Sequence, residues 1–198
     1  SEAKVEAGVC LTFPWAEVVV VPVGDVQLGS TACDISSFKV DMAVAVERGA
    51  YFLGMGDYVD VASPSNRQVL RGATLYDSVM DSLEDGARQA VDSFLGLVKG
   101  TEGRWLGLLE GHHFYEFKDG TTSDQKIAEA LGAPFLGTCA FVRLKLGSHT
   151  VTIWCHHGMG SGVKATAPLS KLENLLGSFD ADVYLIGHHH KKVAAPID

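Results

Sequence analysis

Along the chain, short apolar runs alternate with longer stretches in which apolar positions recur every three or four residues. Runs of strand length stand at Val18–Val23, Ala50–Met55, Arg104–Leu109, Cys139–Leu146, Val151–Cys155 and Val183–Ile186. Helical periodicity marks Ile35–Arg48, Leu75–Leu97, Gln125–Leu131 and Leu169–Leu176. In the longest of these, Leu75, Val79, Leu83, Ala87, Ala90, Val91 and Phe94 form one apolar stripe, the side a helix turns towards a core. Gly132 and Gly177 directly follow two of the helices and are expected to stop them. Strands alternating with helices predict a layered α/β fold, in which functional side chains gather beyond the carboxyl ends of the strands.

Composition narrows the reading without changing it. A chain of 198 residues is long enough for one domain spanning residues 1–198, with a well-buried core. Its 46% apolar and 20% charged residues exclude a disordered or fibrous chain. No uncharged apolar run reaches the roughly 18 residues of a membrane helix, so no membrane partner is expected. The N-terminus lacks the basic-then-apolar layout of a signal peptide. Cys10, Cys33, Cys139 and Cys155 are scattered, with no CxxC pair. That points to core positions in a reducing cytoplasm rather than to a zinc knuckle or a disulfide framework. The net charge of -8 argues against a broad electrostatic grip on nucleic acid. A nucleic-acid substrate held through metal ions stays open, since two bound divalent ions would cancel about half of that charge.

The candidate chemistry sits in five clusters, each directly after an apolar run. They are Gly24-Asp25-Val26-Gln27, Gly56-Asp57-Tyr58-Val59-Asp60, Gly111-His112-His113, His156-His157-Gly158 and Gly187-His188-His189-His190. Seven of the eight histidines fall in three of these clusters, and only His149 stands apart. Unpaired buried imidazoles are costly, so purely structural histidines have no reason to collect at strand ends. A hydrolytic two-metal centre needs this mixture. One carboxylate bridges two ions, further oxygen and nitrogen ligands flank them, and open positions remain for water and a phosphate oxygen. Imidazole suits zinc, iron or nickel, while carboxylate and amide oxygens also accept manganese or magnesium.

The order D-x-Q, GDxxD, GHH, HHG and GHxH resembles the signature of the calcineurin-like metallophosphoesterase superfamily. That signature reads D-x-H, GDxxD, GNH, a lone ligand histidine and GHxH. The resemblance spans Asp25 to His190, and within the superfamily it is nearest the small stand-alone enzymes of bacteria and phages. It implies a four-layer α/β/β/α sandwich, with two mixed β-sheets flanked by helices. It also implies hydrolysis of phosphomonoesters or phosphodiesters by a metal-bound hydroxide, with two divalent ions (manganese, zinc, iron or nickel) as cofactors. Asp25, Gln27 and His190 would hold one ion, Asp57 would bridge, and His112, His156 and His188 would complete the other. His113 takes the place of the general acid, and Asp60 that of the carboxylate orienting it.

Two positions depart from the family pattern. Gln27 stands where a histidine is usual, and its amide oxygen is a weaker ligand than imidazole. His112 replaces an asparagine, so one site loses an imidazole and the other gains one, which predicts an altered metal preference or occupancy. Several alternatives stay open. Gln27 could be an orienting or helix-capping amide, His113 could ligate in place of His112, and His157 could ligate in place of His156. Adjacent strand residues face opposite sides, and the family pattern favours His156. His188 and His190 share a face if that segment is extended. Val61 stands where protein Ser/Thr phosphatases carry a phosphate-binding arginine, which argues against that branch. Arg67 and Arg71 could meet a phosphate substrate, though a helix-surface role is favoured, and Lys191 and Lys192 read as solvated charge rather than substrate clamps.

The expected substrate is a small phosphate ester. A nuclease or nuclease subunit using the same centre, and a non-catalytic scaffold with a degraded site, are the alternatives; His113 and Asp60 favour an enzyme. Only eight residues follow His190, where the resemblance implies further strands. A truncated C-terminus, or a sheet edge supplied differently, is therefore expected. Substrate identity and oligomeric state are carried by no motif.

Overall fold

Strands β2 (Val20–Val23), β3 (Tyr51–Gly54) and β4 (Trp105–Leu108) pair in that order as a parallel sheet. The connections explain the direction. Helix α1 (Ile35–Glu47) returns the chain from β2 to β3, and α2 (Pro64–Gly72) with α3 (Asp77–Leu97) returns it from β3 to β4. The computed structural model describes residues 7–14, 17–73, 76–158, 160, 170, 172–174 and 178–190.

After α4 (Ser123–Ala130), the strands β5 (Cys139–Leu146), β6 (His149–His156) and β7 (Val183–Ile186) join β1 (Ala7–Phe13) in a second sheet, ordered β1-β5-β6-β7. β5 and β6 form an antiparallel hairpin closed at Gly147-Ser148, where Gly147 takes the left-handed φ of 61° that such a tight turn requires. β1 runs parallel to β5, and β7 parallel to β6. The protein is thus α/β with one mixed and one parallel sheet. The expected second mixed sheet is corrected by the two helical crossovers, which impose one direction on β2, β3 and β4.

Alternation along the strands divides the core in two. Phe52, Trp105 and Leu108 join Met42 and Ala45 of α1, Val91 and Phe94 of α3, and Ile127 of α4. Leu53, Met55, Leu106 and Leu109 pack instead with Phe13, Val142, Leu144, Ile153 and Cys155 of the other sheet. Neighbours Phe52 and Leu53, both fully buried, therefore face different layers, as a pleat of period two dictates. Each such side chain contributes about 1.5–3 kcal/mol through burial.

The α3 stripe turns Ala87, Val91 and Phe94 inward but leaves Val79 exposed. α4 starts two residues before its predicted onset, because Thr122 and Gln125 form a reciprocal capping box. Gly132 follows α4 with φ 64°. Of the cysteines, Cys139 and Cys155 are buried, whereas Cys10 is exposed and Cys33 half-buried, so only two are core residues. Leu75, Gly177, Lys191, Lys192 and half of the predicted helix Leu169–Leu176 lie outside the described residues. Among the described residues no helix is long and apolar enough to cross a membrane.

Candidate metal centre

The parallel strands bring the sequence clusters to one edge. Asp25 follows β2, Asp57 follows β3, and His112 and His113 follow β4, while His157 follows β6 and His188 follows the parallel β7. Backbone bonds lace these loops together. Asp25 N–H donates to the Gly56 carbonyl, and Gln27 N–H to the Asp57 carbonyl, both at 2.9 Å. Among the described residues, the non-glycine positions with positive φ are Asp25, Gln27, Asp57, His188 and His190. Left-handed backbone costs a residue with a Cβ on the order of 1 kcal/mol or more. Its confinement to these five candidate residues marks the edge as a place where geometry is held against local preference.

Asp57 is the centre of the arrangement, and its side chain is fully buried. Oδ1 accepts the N–H groups of His112 (2.5 Å) and His113 (2.9 Å). Two glycines make that approach possible. A Cβ on Gly111 would overlap the backbone and carboxylate of Asp57, and one on Gly56, already at φ 92°, would lie 2.6 Å from His157 Nδ1. The other carboxylate oxygen, Oδ2, faces His157 Nε2 at 3.3 Å. His157 Nδ1–H donates to the Met55 carbonyl at 2.7 Å, which leaves Nε2 as the lone-pair nitrogen of the neutral ring. Both Asp57 Oδ2 and His157 Nε2 are buried without a hydrogen-bond partner. Two bare lone pairs at this distance repel, and a cation between them removes the conflict.

Three imidazole nitrogens converge there. His112, His157 and His188 form one group whose ligand atoms lie within 4.8 Å of one another, and Asp25, Asp57 and His157 form another. His112 Nδ1 and His188 Nδ1 are 3.3 Å apart. A tetrahedral ion with bonds of about 2.0–2.1 Å has nitrogen–nitrogen edges of roughly 3.3–3.4 Å, so the spacing fits one ion between the two rings. His188 N–H donates to both oxygens of Asp25 at 3.0 and 2.8 Å, and its Nε2 contacts the Gly160 carbonyl at 3.1 Å, leaving Nδ1 for a ligand. His190 Nε2 lies 3.4 Å from Asp25 Oδ1 on the exposed side. Gln27 enters through its backbone contact with Asp57. The expected extended segment at His188–His190 is corrected: β7 ends at Ile186, and left-handed turns, not a shared strand face, bring the His188 backbone N–H and the His190 ring to Asp25.

The electrostatics suit a cation. Burial, then the neighbouring His157 and His188, lower the His112 pKa to about 4, so at neutral pH its ring carries no proton to displace. Burial and His157 also lower His188. Burial alone would raise Asp57, but its pairing with His157, with the N–H groups of His113 and His112, holds its carboxyl well below the usual range. Burial opposes the charge on His157, and Asp57 outweighs it and raises that imidazole. Asp25 is raised by burial.

His113 stands beside this group and has a different partner. Its Nδ1–H donates to Asp60 Oδ1 at 2.7 Å, which fixes the ring and leaves Nε2 as the second nitrogen.

The groups of converging ligand atoms contain His157 rather than His156. His156 ends β6 on the face of Trp154, stacks on that indole at 5.8 Å, and its Nδ1 accepts the Gly158 N–H at 2.6 Å. Parity is the reason: Ile153 and Cys155 point into the core between the sheets, and His157 continues that face towards Asp57. We expect His157→Ala to weaken zinc binding at least about 100-fold, and His156→Ala to stay within about threefold despite lost packing. Calorimetric zinc titration of both variants checks this.

Two supporting residues escaped sequence reading. Arg67 of α2 reaches the carbonyls of the His112 loop. Asp124, in the first turn of α4, is buried and accepts the Gly111 N–H at 2.8 Å. Burial raises its pKa from the ordinary 3.8 to about 7. The folded chain therefore keeps this proton where the unfolded chain has released it. The resulting stability is fully present below the unfolded value and is lost as pH rises through the folded one, by on the order of 3–4 kcal/mol. Asp124→Asn keeps an acceptor for Gly111 and removes the titration. Denaturant unfolding of metal-stripped protein between pH 4 and 8 should show a fall for wild type and a flatter profile for the variant.

No protein-family model, curated protein or solved structure matches this chain.

Proposed function

We propose that the protein is a metal-dependent phosphoesterase of the calcineurin-like type, hydrolysing small phosphomonoesters or phosphodiesters with two divalent ions. The observation that carries this reading is the pair of partnerless buried atoms, Asp57 Oδ2 and His157 Nε2, set 3.3 Å apart inside a cluster of carboxylates and imidazoles. Asp57, His112, His157 and His188 would hold one ion. Asp25, Gln27 and His190 would hold the other, with Asp57 shared. The surplus of imidazole on the first side favours zinc, iron or nickel there, and the oxygen-rich second side suits manganese. On this reading the described layers belong to a four-layer α/β/β/α sandwich, with further helices on the outer face of the mixed sheet.

When bound, such ions supply Lewis acidity, lowering the pKa of water and offsetting charge on the phosphoryl group. The protein's own residues do the rest. Asp60 accepts the Nδ1–H of His113 and so directs Nε2 towards the scissile ester. A proton on Nε2 passes to the departing oxygen as the phosphorus–oxygen bond breaks and water adds to phosphorus. The products are an alcohol and a phosphate one ester bond poorer. A binding scaffold has no use for a carboxylate-oriented histidine beside the cluster, and this pair supports the enzymatic reading.

The test is turnover of 4-nitrophenyl phosphate and bis(4-nitrophenyl) phosphate by protein reconstituted with manganese, zinc, nickel or iron. Hydrolysis of at least one ester, abolished by a chelator, is expected. No turnover of either ester with any ion would sink the proposal.

A further inference from the structure

Helix α2 buries none of its residues, yet one of its side chains reaches the functional edge. Arg67 Nη1 lies 2.6 Å from the Ala62 carbonyl oxygen, 2.7 Å from that of His112 and 2.9 Å from that of Phe114. The guanidinium also stacks 3.8 Å above the Phe114 ring. The carbonyls of His112 and Phe114 flank His113, whose own carbonyl accepts the N–H groups of Val61 and Ala62 at 3.3 Å. On the opposite side of the same segment, Asp57 Oδ1 holds the N–H groups of His112 and His113, and Asp124 holds that of Gly111. Residues 111–114 thus hang between two carboxylates on their N–H side and one guanidinium on their carbonyl side.

We propose that Arg67 is the positioning residue of this segment, setting the place of His112 at the metal cluster and of His113 beside it. For His113 the inference rests on the phosphoesterase reading; for His112 it rests on metal binding alone. A planar guanidinium suits the task, because it gathers several carbonyl dipoles while its face packs on an aromatic ring. The same geometry argues against Arg67 as a substrate phosphate clamp, since Nη1 is already committed to backbone oxygens. Arg71, one turn further along α2, is an exposed partner of Glu116 and makes no such contact with the loop, which makes it the control.

The experiment compares wild type, Arg67→Ala, Arg67→Lys and Arg71→Ala by zinc titration and by kinetics on aryl phosphates of graded leaving-group pKa. Arg67→Ala is expected to bind zinc about 10-fold more weakly and to lose 10–100-fold in kcat, with KM within about twofold. The loss should grow as the leaving group becomes more basic, because a misplaced His113 matters most where protonation is needed. Arg67→Lys, which keeps the charge but not the fork, should fall between, and Arg71→Ala should match wild type. Wild-type zinc affinity and leaving-group dependence in Arg67→Ala would overturn the proposal, as would a raised KM at unchanged kcat. If Arg67→Ala fails to fold, wild-type behaviour of Arg67→Lys does the same. A wild type without turnover, combined with weaker zinc binding by Arg67→Ala, would defeat the phosphoesterase reading and leave the positioning of His112 standing.

Discussion

Asp57→Asn is expected to abolish turnover, by roughly 10³-fold or more, while leaving the chain folded. The asparagine keeps an oxygen in the place of Oδ1, so the N–H groups of His112 and His113 remain bonded and their loop stays where it is. The other half of the side chain changes its meaning. Oδ2 and His157 Nε2 face each other at 3.3 Å as two acceptors, and the amide places an N–H donor there. The variant therefore satisfies, with one hydrogen bond, the conflict that a bound cation would resolve in wild type. It should bind zinc at least about 100-fold more weakly, and without metal it should melt no lower than wild type. The loss of activity follows from losing the shared anionic ligand, whose ion is worth several kcal/mol to a phosphoryl transition state, at a factor of ten per 1.36 kcal/mol. Thermal unfolding and zinc titration of the same sample separate the two effects. A variant that binds zinc normally would remove Asp57 from the centre.

The second large effect is at His113. Its ring is held by Asp60 at 2.7 Å and belongs to neither group of converging ligand atoms. His113→Ala should lower kcat by about 10²–10⁴-fold, the range of a lost general acid, and leave zinc affinity unchanged. The size of the loss should depend on the substrate. An aryl ester with an acidic leaving group departs without help, whereas an alkyl ester does not. Asp60→Asn should cost less, about 10-fold or somewhat more, because the ring loses its orienting partner but keeps its chemistry. Equal losses on aryl and alkyl esters would assign His113 some role other than proton donation.

Much of this molecule is readable from residue order, and the failures have physical causes. Strands β5 and β7 have the bounds their apolar runs predict; in β5 buried Val142 and Leu144 alternate with exposed Arg143 and Lys145, the period-two pattern of a half-buried strand. The loops bearing Asp25, Asp57, His112 and His188 were legible for a similar reason, since polar and glycine residues placed straight after such runs stand at the carboxyl edge of a sheet. Helix α2 was not legible. It carries no apolar stripe, starts from Ser63 and Pro64 alone, and is tied to the body through Arg67 rather than by burial. Strand β1 escaped because it is an edge strand whose apolar run is broken by Gly8 and Thr12, and its partner β5 is far away in sequence. Strand parity bears on the pair His156 and His157. Val151, Ile153 and Cys155 alternate with Thr152, Trp154 and His156, and the smaller apolar series, which points inward, continues to His157. Arg67 and Asp124 act through backbone groups remote in sequence, so no local pattern announces them.

The most direct measurement is anomalous diffraction from crystals grown with zinc, recorded on both sides of the zinc absorption edge. A peak at bonding distance from His157 Nε2, Asp57 Oδ2 and the Nδ1 atoms of His112 and His188 is the predicted result, with a second and weaker site beside Asp25. Zinc bound only elsewhere, or coordinated by His156 with His157 still turned to Asp57 alone, would contradict a metal centre at this edge.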